Sequence, residues 1–599
     1  MGPERTVHRR TRGRLALAAA LIVCLAAVGV ASAGLRSDTA SNPTRGGTLK
    51  LLGQSDIFNL DTTSGYYTVD NILERSFTRQ LVSYPNAVSF VAQIKLAPDI
   101  ATAVPTKANG GISANGRTYT LHIKQGVKWD TTPPRQVTAA DFVREFKLLC
   151  NPASPTGAPG YYTSTIIGMK AYCDGFAKVK ATAPAIAAYV NGHAVPGVVA
   201  KNPLTIVFRL TKPAPDFPNI LAMGFSSARP VEYMKYVPDS ADLRQHTISD
   251  GPYQITKYVP TKEFTLDRNP AWNASTDSLR KAYVDHMQVT EGLTQDSVQQ
   301  QLEAGTGDMD WDVTPPSQAL PRLVAANDKR LVIGPTGPYY VALNTYLALN
   351  QYHGPMQNKL VRQAAEYALN KNAIVQIFGG SRIATPANQV VLPGNVGYLN
   401  NFNPYPDNNG NGDPAKSKQL LSQAGFPNGV SLKLLYATTD PAPRVAQSIQ
   451  ASLQAGGFHV TLVPTTGADF YGKYMLVPST AKQGVWDIAA PGWIPDWFGN
   501  NGRSVIQPLF TNPQPGSSDF GGYNSPTTDR LVNQALTASS QAAAQTAWQK
   551  ANAQIMRDAA AVPIEFQKFT AFHSSRLQGC VFWFFDINCD PTNVWLSGG

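Results

Sequence analysis

An α/β protein of several lobes is predicted for this chain on three observations. At 599 residues it exceeds what one hydrophobic core supports, and roughly 150 residues per unit gives about three or four. Apolar residues at 43% and charged residues at 15%, with many unperiodic Gly and Pro, mark a folded, loop-rich chain and not a disordered one. Strand-like and helix-like patterns alternate along it in interrupted blocks, as in mixed α/β architectures.

The N-terminus comes first. Arg5, Arg9, Arg10, Arg12 and Arg14 precede "LALAAALIVCLAAVGVASA" (15–33), which ends in a small-x-small cleavage pattern. Residues 1–33 therefore read as a secretory signal peptide. Two alternatives stay open: an uncleaved anchor through residues 15–33, or a lipid on Cys24, although Val23 is bulky for that. All three put the folded part outside the cytoplasm, because the arginines stay inside. "GLRSDTASNPTR" follows as a polar linker, 34–44 in the domain scheme below. Of the formal net charge of +11, +4 belongs to residues 1–33 (five Arg against Glu4), leaving +7 on the body. That charge is diffuse and no basic stripe exists, so no nucleic-acid partner is expected.

The elements follow in order. "GGTLKLLGQ" gives a turn and a short strand. "ILERSFTRQLVSY" (72–84) has helical spacing. "GRTYTLHIKQGVKW" (116–129) alternates Tyr119, Leu121 and Ile123 with polar partners, the pattern of a half-buried strand. "TAADFVREFKLLC" (138–150) opens on Thr138 and Asp141 in capping-box spacing and continues as a helix. Residues 151–204, rich in Gly, Pro and Ala, read as long loops around one or two helices. Strands return in "LTIVFRL" (204–210), "GPYQITKYV" and "KEFTLDRN", followed by a helix in "QDSVQQQLEAGTGDMDW". "QNKLVRQAAEYALNKNAIVQIF" (357–378) opens a second helix-bearing block that ends in an amphipathic helix near 541–559. Within it Asp413 suits an N-cap, Pro414 the first helical position and Gly425 a left-handed cap.

Apart from Cys24 there are four cysteines, at 150, 173, 580 and 589. An oxidising compartment favours pairing them, three connectivities are possible, and closeness in sequence favours Cys150–Cys173 and Cys580–Cys589. Each bridge would contribute about 2–4 kcal/mol through loop closure. A zinc site fits poorly, with no histidine nearby. "DNNGNGD" (407–413) begins like a calcium loop, but position 418 is Lys where a bidentate Glu is required, so it reads as a polar turn. No metal or other cofactor is expected.

"WDIAAPGWIPDWFGNN" (486–501) gathers three of the nine tryptophans around Asp496. It suits either a loop tucked into a core or an aromatic cleft wall whose charge fixes an amine. Trp486, in the strand-like "VWDIA", belongs to the core on this reading.

Eight landmarks, in order, carry a resemblance. They are "GGTL", "LAPDIA" (96–101), "NGRTYTLHIKQGVKW…TAADFV", "GPYQITKY…LDRNPAW", "LEAGTGDMD", "VRQAAEYALNKNAI", "DPAKSKQLLSQAGFPNG" and "WDIAAPGWIPDW". Together they span nearly the whole chain beyond residue 45. The chain resembles the extracytoplasmic solute-binding proteins of ABC importers, oligopeptide/dipeptide-binding family (bacterial solute-binding family 5). "CNPASPTGAPGYYTSTIIGMKAYC" departs from the commonest pattern of that family.

The resemblance implies a two-lobed periplasmic-binding-protein-like α/β fold with hinge strands and an extra subdomain in the first lobe. Lobe I would take 45–82, 205–335 and 567–599, the subdomain 83–204, and lobe II 336–566. It implies a monomeric receptor that captures a peptide between closing lobes, delivers it to an ABC importer permease, and does no chemistry. In that family a G-W-x-x-D loop in lobe II faces the cleft, and its Asp holds the peptide's terminal ammonium. Carried over, this maps Trp493 and Asp496 as ligand residues, the alternative for Asp496 being a carboxylate that caps its own loop. Trp497 would line the cleft or brace the loop. Tyr339, Tyr340 and Asn344, on the first hinge strand, would border the ligand or serve ordinary packing.

Other functions are weighed against this one. An oligosaccharide would also suit aromatic walls, whereas nickel would lack imidazole near Asp496. A secreted hydrolase would need a nucleophile elbow or metal helix, and neither G-x-S-x-G nor closely spaced histidines occur.

Overall fold

The computed structural model describes residues 42–511, 518–538, 540–585 and 587–598. The signal-peptide or anchor segment, Cys24 and most of the linker lie outside them. No helix of the described residues is long and apolar enough to cross a membrane.

Two sheets organise the chain. The first has five strands in the order Met309–Asp310, Thr48–Leu52, His286–Thr290, Glu263–Arg268 and Tyr253–Val259. Thr48–Leu52 pairs in parallel on both sides, and the other pairs are antiparallel. The second has six: Ala384–Pro386, Ala561–Gln567, Ala342–Leu349, Ile488–Ala489, Val430–Ala437 and Phe458–Thr465. Its last three strands run parallel, joined by helix Ala442–Ala455 in a strand–helix–strand crossover. Each sheet carries its own apolar core.

The chain passes between the two sheets twice, and the two passages pair with each other. Leu331–Gly334 lies antiparallel to Phe569–Phe572, and Ala342–Leu349 lies antiparallel to Ala561–Gln567. A third, three-stranded sheet orders Thr118–His122, Thr205–Arg209 and Val198–Asn202. Thr205–Arg209 thus completes the sheet of residues 118–122, on the subdomain side of a boundary drawn at 204.

Local signals explain the helices. Thr138 precedes helix Ala139–Leu148, and Asp141 accepts the Thr138 N–H at 2.9 Å, as a capping box requires. Asp413 accepts the Lys416 N–H at 2.9 Å at the start of Pro414–Gln423, and Gly425 follows its end at φ +90°. The helix expected within 72–84 lies at Thr68–Phe77 instead. Beyond Phe77 the chain is extended because buried Arg79 turns in to Asp99 at 2.8 Å, beside Arg280 and Asp277. The pattern over 357–378 divides into Lys359–Ala368 and Lys371–Ile377, since Asn370 caps the second helix through the Ala373 N–H.

Residues 151–204 hold the two helices expected among loops, together with a four-residue helical turn and strand Val198–Asn202. Gly160–Thr163, Met169–Phe176 and Ala183–Gly192 are helical. Cys150 is bonded to Cys173 and Cys580 to Cys589, the pairing that closeness in sequence favoured. "DNNGNGD" is a turn with Asn408 and Asn409 at positive φ, and Asp407 accepts the Gly410 N–H.

Candidate functional site

The 486–501 segment leaves the six-stranded sheet and crosses to the other side of the molecule. Trp486 is fully buried in the core beside that sheet. At Trp493 the loop pairs with the strand leading out of the first passage: Leu343 N donates to Trp493 O at 3.0 Å, and Trp493 N to Leu343 O at 2.9 Å. Gly492 permits this approach, since a Cβ there would stand 2.5 Å from the Asn344 carbonyl oxygen. The half-buried Trp493 also donates through Nε1 to Ser504 O. The loop is therefore fixed at its root.

Its tip enters a different core. Trp497 and Phe498 are buried among residues of the 81–228 region and of the C-terminal segment. The Trp497 ring stands edge-on to Tyr161 at 4.8 Å, and Phe498 meets Phe584 at 4.5 Å. Tyr84 Oη and Asn219 Nδ2 both donate to the Phe498 carbonyl. Trp497 Nε1 donates to Asn500 O at 2.8 Å, so this side chain braces the loop.

Between these anchors sits Asp496. Tyr66 donates its hydroxyl to Oδ1 at 2.9 Å and Tyr161 to Oδ2 at 2.5 Å. Both tyrosines come from the opposite side of the molecule. Burial pushes the Asp496 carboxyl up to about 7, and the two hydroxyls pull it back only partly. Its burial and charge push both tyrosines well above the usual phenol range. Both are donors and neutral. A carboxyl held this way accepts a cation well, because an ammonium would restore the charge balance that burial disturbs.

Asp496 borders a cavity of about 70 Å³, with Tyr66, Phe225, Phe498, Phe584 and Phe585 among its walls. A second cavity of about 720 Å³ shares Tyr66 as a wall, includes Tyr161, and runs past the Cys150–Cys173 bridge. Tyr66 thus lies between the cavities.

Of the six residues expected at a ligand, Asp496 alone lines the small cavity. Trp493 and Trp497 flank it in sequence and position its loop. Tyr339 stacks on Phe90 at 4.7 Å, and the Tyr340 ring carries the Lys568 ammonium at 5.8 Å; neither lines the small cavity. Asn344 stands on strand Ala342–Leu349 behind the loop. Tyr66, Tyr161, Phe498, Phe584 and Phe585 were not anticipated. One signal existed: "GYYT" occurs twice, at 65–68 and 160–163, and the first tyrosine of each copy reaches Asp496.

Arg503, on helix Gly502–Phe510, makes a second bridge. It is 2% exposed, and its Nη2 donates to Ser164 Oγ and Thr165 Oγ1, both at 2.9 Å. Its Nη1 lies 3.6 Å from Asp216.

Comparison with known proteins agrees with this architecture. Residues 95–514 match the family described as bacterial extracellular solute-binding proteins, family 5 Middle. The heme-binding protein A of Haemophilus influenzae is 26% identical over 490 residues, 78% of this chain and 80% of that one. The di/tripeptide-binding protein 4 of Pseudomonas aeruginosa is 24% identical over 450 residues, 73% and 74% of the two chains. The solved structure of clavulanic acid biosynthesis oligopeptide binding protein 2 superposes with a TM-score of 0.81 at 22% identity, covering 92% of this chain and 96% of that one. The fold is therefore the two-lobed α/β fold of extracytoplasmic binding proteins, one lobe around each large sheet.

Proposed function

Because the chain belongs to family 5 of the bacterial extracellular solute-binding proteins, we propose that it is a peptide receptor: it captures a peptide between its lobes outside the cytoplasm and delivers it to the permease of an ABC importer. It binds and releases, with no bond made or broken. The boundaries we assign are 45–82, 205–335 and 567–599 for lobe I, 83–204 for its subdomain, and 336–566 for lobe II. The paired passages at 331–349 and 561–572 support them as hinges, with strand 205–209 lying on the subdomain side. Residues 1–33 direct export, and 15–33 are long enough to remain as an anchor.

One observation carries the peptide reading: the Asp496 carboxyl takes its two partners from residues 66 and 161, outside the segment we assign to lobe II, beside a cavity whose described lining residues include no Lys, Arg or His. A peptide's terminal ammonium is the group that such a carboxyl lacks. The names of relatives point the same way, since one is a di/tripeptide-binding protein. Small-molecule sites usually enclose about 300–1,000 Å³. The 70 Å³ beside Asp496 is too small alone, and the larger cavity shares the Tyr66 wall with it.

The test is a thermal-shift screen of the full chain against short peptides, sugars, heme and nickel. Bound ligand raises the melting temperature in proportion to RT ln(1 + [L]/Kd). Peptides should raise it, and Asp496→Ala should weaken their binding at least tenfold, the loss of one buried charge-assisted contact of about 1.5–3 kcal/mol. Shifts confined to sugars, heme or nickel would overturn the peptide reading.

A further inference from the structure

Helix Thr68–Phe77 presents Thr68 and Asn71 to the small cavity, and the next residue on that face is Glu74. Glu74 is 3% exposed, and neither of its carboxyl oxygens has a hydrogen-bond partner among the described residues. A buried carboxyl of this kind normally finds a donor.

Its position is as unusual as its lack of a partner. The two oxygens rest against Gly65 and Gly224, both of which line the cavity. A Cβ at Gly65 would stand 2.3 Å from Oε1, and one at Gly224 would stand 2.3 Å from Oε2. No side chain at either position comes between the carboxyl and the space beside Asp496. Gly65 is also the residue before Tyr66, so the two acids flank one short piece of chain.

The charged groups that act most on Glu74 among the described residues are all acids. Burial pushes Glu74 well above the usual carboxyl range, and Asp70, Glu145, Asp61 and Asp239 add to the push. The Arg229 guanidinium, which faces two of these acids, is committed to both oxygens of Asp61 and lies 3.7 Å from Glu145. Glu74 does not itself line the cavity, and the two glycines that do are the residues against which its carboxyl rests.

We propose that the notch between these two glycines is a second cation subsite, and that the receptor prefers peptides whose first residue is Lys or Arg. The terminal ammonium would meet Asp496, and the basic side chain would pass between Gly65 and Gly224 to Glu74. The inference rests on the peptide reading above. Glu74 holds its proton while the site is empty. When a lysine ammonium arrives, the carboxyl O–H proton leaves for solvent and an ion pair remains.

Calorimetry on the full chain with Lys-Ala-Ala and norleucine-Ala-Ala isolates the side-chain charge, since the two differ by little else. Lys-Ala-Ala should bind at least tenfold tighter and, across buffers of different ionisation enthalpy, release about one more proton per peptide. Glu74→Gln should erase both differences while leaving the affinity for norleucine-Ala-Ala within threefold. Equal affinities in the unaltered protein would overturn the inference without any variant, and so would a lysine preference that survives Glu74→Gln. Cadaverine separates this inference from its premise. If neither peptide binds but cadaverine stabilises the protein through Glu74, the peptide reading fails and the subsite stands. If none of the three binds, both fall.

Discussion

Asp496 is pulled two ways, since burial favours its neutral form and two hydroxyl donors favour its charged form, with burial the larger effect. The sign of the pH dependence follows. Its value rises from 3.8 unfolded to about 7 folded, so between those limits the folded chain keeps a proton that the unfolded chain has lost. The stability it contributes is complete below about pH 4 and is lost as pH rises through 7. We expect the melting temperature of the ligand-free protein to fall from pH 5 to 8, and Asp496→Asn to flatten part of that fall. An unchanged slope in the variant would place the titration elsewhere. Peptide affinity should move oppositely, tightening as pH rises through 7 and the carboxyl ionises. The tryptophan-rich setting of this residue was legible in the sequence, as was its place in a family motif. Its partners were not, because Tyr66 and Tyr161 lie 430 and 335 residues away. The duplicated "GYYT" was visible, but nothing local ties either copy to a carboxyl so distant.

At the scale of elements, short-range code was read well where it was strong. Asp413, Pro414 and Gly425 bound their helix, and Thr138 with Asp141 starts another, because caps act within three or four residues. The insert at 151–204 was read only in outline, as loops around one or two helices, for the complementary reason. Its helices of four, eight and ten residues are too short to be stable alone, and their Gly and Pro content hides them. They form because Tyr161, Tyr162, Met169, Tyr172 and Phe176 are buried in a common core, and because Cys150–Cys173 ties Met169–Phe176 to the end of helix Ala139–Leu148. Closing a loop with a sequence separation of 23 contributes about 3 kcal/mol. The double variant Cys150→Ser/Cys173→Ser should lose that much in urea unfolding, and reducing agent should then cost it nothing further through this bridge. A variant as stable as the parent would mean that the core alone orders the insert.

For the whole molecule, the general α/β class was legible from alternating strand and helix patterns. The two-lobed arrangement was legible only from landmarks in family order, since periodicity does not say which strands share a sheet. The contacts between lobes were hidden for the same reason. Arg503 is the clearest of them, a buried guanidinium on one lobe satisfied by Ser164, Thr165 and Asp216 of the other. Truncating it removes attraction that exists only when the lobes meet, so the population shifts towards separated lobes. Arg503→Ala should enlarge the radius of gyration of the ligand-free protein in solution scattering, and weaken peptide binding several-fold because fewer molecules are competent to close. An unchanged radius would assign Arg503 to local packing.

On the proposal that Asp496 holds a peptide's ammonium, the two tyrosine hydroxyls on it make the empty receptor its own competitive inhibitor. What a peptide meets is a carboxyl already satisfied from across the cleft, and it must outbid Tyr66 and Tyr161 before it gains anything. Measured affinity would then be the intrinsic affinity multiplied by the fraction of molecules in which Asp496 is free of the tyrosines, which sets a threshold of ligand concentration below which the lobes answer to each other.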